Sequence, residues 1–90
     1  MEFMIGVPYG SDLDAVILLI KNTLKENTNV LPVPEPVVIV QDFGEYAITV
    51  RSLLWVGDLA VAGGIRSTAM IDVKRALSDA GIQLQIRPLS

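Results

Sequence analysis

The sequence predicts an α+β fold, and three observations carry that prediction. Two stretches repeat apolar residues at helical spacing. Two β-rich stretches meet at Gly44-Glu45, as in a hairpin. A segment holding Pro32, Pro34 and Pro36 reads as an extended crossover and not as helix. The element order is β-α-β-β-α-β. With right-handed crossovers it closes as a ferredoxin-like two-layer sandwich, a four-stranded antiparallel sheet with two helices on one face. Ninety residues make one domain. Residues 4–90 are read as that domain, with Met1 to Phe3 set aside as a leftover ahead of Met4.

The first strand is expected over Phe3 to Tyr9, with Pro8 at its end because a central strand needs every N–H. Gly10-Ser11 turns the chain, Ser11 is the expected N-cap, and Asp14 completes a short capping box. The first helix is expected from Asp12 to Glu26. Leu13, Val16, Ile17, Ile20 and Leu24 share one stripe. The run AVILLI at 15–20 is apolar all round. Leu18 therefore points nearly opposite the stripe, and Leu19 sits at its margin.

Asn27 to Pro36 crosses over to a second strand, Val37 to Phe43. A third strand follows over Tyr46 to Val56. Ile48, Val50, Ser52, Leu54 and Val56 fall on one face of it, and Ala47, Thr49, Arg51, Leu53 and Trp55 on the other. The first set reads as core, with Ser52 a polar gap in it. Gly57 to Gly64 is expected as a loop. The second helix is expected from Ile65 to Ala80, stopped by Gly81 as C′ residue. Its inner stripe is Ile65, Ala69, Val73, Ala76 and Ala80 with Leu77 alongside, and Ile71 points away. A fourth strand is expected over Ile82 to Ile86, before Pro88.

Composition narrows the function. The chain is 51% apolar and 19% charged. A domain this small buries only roughly 60–65% of its unfolded surface, so it must expose apolar area or pack into something larger. Net charge is −3, which leaves no basic footprint for nucleic acid. With no cysteine and no histidine, disulfides, thiolate chemistry and ordinary zinc sites are excluded. No apolar run reaches the ~18 residues of a membrane span, so direct membrane insertion by this chain is not expected.

The chemical candidates each have a bland reading that outweighs the functional one. Asp12 and Asp14, a carboxylate pair in a helix's first turn, answer the free N–H groups and the helix dipole. Gly63-Gly64, ahead of Arg66, Ser67 and Thr68, lacks both the P-loop and the dinucleotide spacing. Thr49, Ser52 and Ser67 have no activating base. Trp55 reads as a packing residue against the sheet or a neighbouring subunit. No catalytic residue, metal or cofactor is expected, and the chain is read as non-enzymatic. The candidate site is a subunit interface holding Leu18, Leu19, Ile71 and Trp55.

The stretches IGVPYGSDLD (5–14), PEP (34–36), FG (43–44), LLWV (53–56) and GGIRSTAMIDVKRALSDAGI (63–82) stand in an order and spacing that resemble a known family. It is the C-terminal cytoplasmic part of the small-conductance mechanosensitive channel (MscS) family. The resemblance implies identical subunits in a heptamer, with a membrane pore above a hollow cytoplasmic vestibule. This chain is similar to the lower α/β domain of the vestibule wall, which borders lateral portals for ions and solutes. It implies a place on the cytoplasmic side of the bacterial inner membrane in a full-length channel, and a soluble fragment when alone. The chain departs from the family pattern after Gly81-Ile82, where Gln83 to Ser90 replace a hydrophobic residue and a Pro-Phe-Pro turn. It departs again at Ser52, Leu18 and Ile71.

Two functional readings follow. The first is a structural vestibule domain that helps subunits assemble and forms part of the portal-bearing cage. The alternative is a small-molecule-binding regulatory module on the same scaffold, with Gly10 and Gly63-Gly64 at its ligand site. The scaffold itself hosts both.

Overall fold

The computed structural model of the chain describes residues 1–84. Strand β1 (Glu2–Val7) is followed by helix α1 (Leu13–Glu26), strands β2 (Val37–Phe43) and β3 (Ile48–Leu53), and helix α2 (Ala62–Asp79). The strands form one antiparallel sheet in the order β1-β3-β2. Val50 sits at its centre, opposite Ile5 on one side and Val40 on the other. The β2–β3 turn is closed by the Gly44 N–H, which donates to the Ala47 carbonyl at 2.9 Å.

Alternation sets one sheet face towards the helices. Phe3 and Val7 of β1, Val38 of β2, and Ile48 and Val50 of β3 are buried there, with Leu54 just beyond β3. Val16, Ile20 and Leu24 of α1 meet them, as do Ala69, Val73 and Leu77 of α2. Each large side chain in that set stabilises by roughly 1.5–3 kcal/mol relative to exposure. Both helices thus cover the same face, as the sequence predicts, and they also pack on each other.

Several expectations are corrected. The described residues hold three strands. Of the expected fourth strand over Ile82 to Ile86, Ile82, Gln83 and Leu84 lie in no strand, and the last two residues lie outside the described residues. The physical reason is the end of α2. Gly81 takes φ +82°, the Ile82 N–H donates to the Leu77 carbonyl at 2.9 Å, and the Gly81 N–H donates to Ser78 at 3.0 Å. This Schellman closure turns Ile82 back against the helix it has just left.

Met1 to Phe3 are integral to the fold. Phe3 is 2% exposed, and the amino group of Met1 donates to the Leu54 carbonyl at 2.9 Å. The N-cap of α1 is Asp12 and not Ser11; its carboxylate accepts from the Ala15 N–H at 3.2 Å. β1 stops at Val7, before Pro8, and β3 is shorter at both ends than expected. Val56, beyond β3, makes an isolated bridge to Val30 of the crossover.

The expected loop at Gly57 to Gly64 contains a 3-10 turn (Leu59–Val61) capped by Asp58, whose carboxylate accepts from the Ala60 N–H at 2.9 Å. That turn runs directly into α2, so Gly63 and Gly64 lie within the helix's first turn. The buried stripe of α2 is Ala69, Val73 and Leu77; Ala76 is half-buried and Ala80, the C-cap, is exposed.

Candidate functional site

A concavity lies where the start of α1 meets the end of α2. It is an open groove of about 670 Å³. Pro8, Ala15, Leu18, Leu19, Ala80 and Ile82 supply its apolar wall. Local structure builds it from both sides. Asp12 fixes the first turn of α1, so Ala15, Leu18 and Leu19 follow at helical spacing along one flank. The Gly81 closure sets Ile82 on the other flank. Leu18 is 59% exposed, while Leu19 is half-buried and also packs on the core.

The groove gathers two of the four residues predicted as an interface. Ile71 is exposed on α2 but lines a different, polar hollow with Lys74, Arg75, Ser78 and Asp79. Trp55 is half-buried beyond the end of β3, and its carbonyl accepts from the Leu31 N–H at 2.7 Å. Leu18 and Ile71 therefore line different hollows.

Ser52 is fully buried on β3, and its hydroxyl has no hydrogen-bond partner among the described residues. Ser67 and Thr68 are exposed on α2. Arg66 uses Nε to donate to the Glu2 carbonyl at 2.9 Å, which ties α2 to β1. Arg51 and Glu2 form an ion pair on the outer sheet face. Among the described residues, no group of three or more His, Cys, Asp or Glu side chains could hold a metal.

One electrostatic cluster stands out. Glu35, in the proline-rich crossover, lies 2.8 Å from Lys21 and 3.6 Å from Lys25 of α1. The Lys21 hydrogen bond, then the charges of Lys21 and Lys25, hold its carboxyl below the ordinary value of 4.5. The cluster fastens the crossover to the helix. It is exposed, so its role is positional.

Sequence reasoning missed one apolar feature. Leu59 is 85% exposed and Val61 is 52% exposed, both in the 3-10 turn. A short segment between two glycine-bearing stretches shows no periodicity from which a protrusion could be read. The signal was the capping pattern Asp58-Leu59-Ala60, which marks a turn of helix.

The family described as "Mechanosensitive ion channel MscS, C-terminal" matches residues 1–84. An "Uncharacterized MscS family protein" of Archaeoglobus fulgidus is 32% identical over 54 residues, covering 60% of this chain and 19% of that protein. The chain superposes on the crystal structure of Helicobacter pylori MscS in its closed state with a TM-score of 0.89 and 23% identity. That match covers all of this chain and 36% of the other. Arabidopsis thaliana MSL1, solved by cryo-EM as a variant, gives a TM-score of 0.74 at 15% identity over 97% of this chain and 35% of that one. These two likenesses establish a shared fold. The chain spans about a fifth of the archaeal relative and about a third of each solved channel. No helix among the described residues is long and apolar enough to cross a membrane.

Proposed function

This chain belongs to the MscS mechanosensitive channel C-terminal family, and from that premise we propose that it is a structural domain of a channel's cytoplasmic vestibule. In this reading it forms the lower part of the vestibule wall and borders the portals. It packs against identical subunits, seven in a complete channel, on the cytoplasmic side of a bacterial inner membrane. The observation that carries the reading is the family match across residues 1–84, joined to the exposed apolar groove at Leu18 and Leu19. An apolar surface of this kind on so small a domain favours burial against a neighbour. The test is a chimera in which residues 1–84 replace the matching segment of a homologous channel. The reading expects an assembled channel on native gels and pressure-evoked currents in patches. A chimera that is expressed and folded yet never assembles counts against it.

The alternative, a regulatory module for a small ligand, has one observation in its favour. The groove volume falls within the ~300–1,000 Å³ range of ligand sites, and Gly10 stands in its wall. Gly63 and Gly64, the other glycines of that reading, lie at the opposite end of α2. Titration calorimetry with amino acids and other small metabolites separates the two. Saturable heat abolished by Leu18→Glu favours the regulatory module.

A further inference from the structure

The groove between the start of α1 and the end of α2 joins apolar walls to charge of a single sign. Pro8, Ala15, Leu18, Leu19, Ala80 and Ile82 make the walls. Among the described residues, the one ionisable side chain lining it is Asp12, which is exposed. Lys21 and Lys25, the cations of α1, line no part of it and are held by Glu35.

The two helix ends that meet there act in opposite senses. The positive end of α1 favours an anion, and Asp12 already supplies one: its carboxylate accepts from the Ala15 N–H at 3.2 Å. A whole negative charge exceeds the roughly half unit of a helix end. The end of α2 brings its negative pole, and neither the Ala80 nor the Gly81 carbonyl accepts a hydrogen bond from the described residues. Asp14 and Asp79 stand next in sequence to Ala15 and Ala80 of the wall and carry the same sign. An anionic ligand would be repelled here, and a neutral apolar one would leave the negative rim unanswered. A cationic head on an apolar tail satisfies both parts of the groove.

We propose that this groove binds small primary ammonium ions that carry an apolar tail. The tail lies on Leu18, Leu19 and Ile82, and the ammonium donates to the Asp12 carboxylate and to the carbonyls at the end of α2. The proposal rests on the small-ligand reading of the groove and names its ligand class; it does not need copies of the chain to associate. The groove, at about 670 Å³, holds a six-carbon chain with room to spare. The charge of the head therefore selects more sharply than the length of the tail.

Probes with one tail and different heads test this: hexylamine, hexanol and hexanoate, titrated at neutral pH and low salt into the 90-residue chain. The amide signals of Leu18, Leu19 and Gly81 report binding by NMR. The amine is protonated there, as a lysine is. Hexylamine should bind about tenfold more tightly than hexanol, and hexanoate more weakly than either. Asp12→Asn keeps a good N-cap and removes the charge. It should abolish most of the preference for the amine and leave hexanol binding unchanged. Circular dichroism verifies the fold, and Asp12→Ser takes its place if the Asn variant unfolds. Leu18→Ser should weaken hexylamine and hexanol alike, by removing part of the wall under the tail. Equal binding of amine and alcohol, or a preference for hexanoate, overturns the ammonium assignment while the small-ligand reading stands. A preference for the amine that is unchanged in Asp12→Asn, or hexanol binding unchanged in Leu18→Ser, overturns the proposed pose. No saturable shift with any of the probes overturns the small-ligand reading as well.

Discussion

The Lys21 ammonium lies 2.8 Å from the Glu35 carboxylate, joining the middle of α1 to a crossover whose residues 31–35 are otherwise exposed. The interaction lowers the Glu35 pKa from 4.5, chiefly through the Lys21 hydrogen bond. A depressed carboxyl pKa contributes stability above the unfolded value, and that contribution is lost as pH falls through the folded value. Stability should therefore decline as pH drops below about 4.5, partly because of this group. In Glu35→Gln that share of the pH dependence should vanish, with only a small change at neutral pH. Urea titrations of both proteins across that range check it. High salt should shrink the difference, since exposed pairs are screened.

Gly44 tolerates no side chain. A Cβ built there lies 2.9 Å from the Ala47 carbonyl oxygen, which is backbone and cannot swing aside. Gly44→Ala should destabilise by about 1–3 kcal/mol in chemical denaturation. Gly10→Ala is the control: nothing lies within 4 Å of its Cβ and its φ is not left-handed. It should be neutral or stabilising by up to ~1 kcal/mol, through a less flexible unfolded chain.

The Ser52 hydroxyl is buried without a partner among the described residues. An unsatisfied buried hydroxyl costs about 1–3 kcal/mol in lost hydration. Ser52→Ala removes that cost and should raise stability by about 1 kcal/mol. A clearly less stable Ala variant would mean that the hydroxyl has a partner the fold depends on.

The helix faces give a paired prediction. Leu18→Glu combined with Ile71→Glu should leave stability within ~1 kcal/mol, because both side chains are more than half exposed. Val73→Ala and Leu77→Ala, at 0% exposure, should lose ~1–4 and ~2–5 kcal/mol through core cavities. Denaturation curves on the same set of variants decide between inner and outer faces.

The sequence made the long periodic elements legible. Val16, Ile20 and Leu24 repeat every four residues, and Ile48, Val50 and Ser52 every second residue, so their buried faces follow from geometry alone. The ends were less legible because competing caps decide them. Ser11 and Asp12 are both good N-caps, and only the backbone path selects Asp12. The fourth strand was expected because Ile82, Leu84 and Ile86 alternate like a strand; Ile82 to Leu84 lie in none, because the Gly81 closure turns Ile82 back onto α2. Of the four residues expected at an interface, Leu18 and Leu19 line the groove, and Leu18 was legible as an apolar residue opposite the inner stripe of its helix. That Ile71 lies apart from them depends on how the two helices pack, which no single-helix pattern encodes.

On the proposed function, this domain uses its exposed apolar surface to bind copies of itself. Sedimentation equilibrium on the unmodified 90-residue chain, from low to high micromolar concentration, tests it most directly. The apparent mass should climb above 9.7 kDa as concentration rises, and should fall back towards it in Leu18→Glu. A mass that holds at the monomer value across the whole range would contradict the claim.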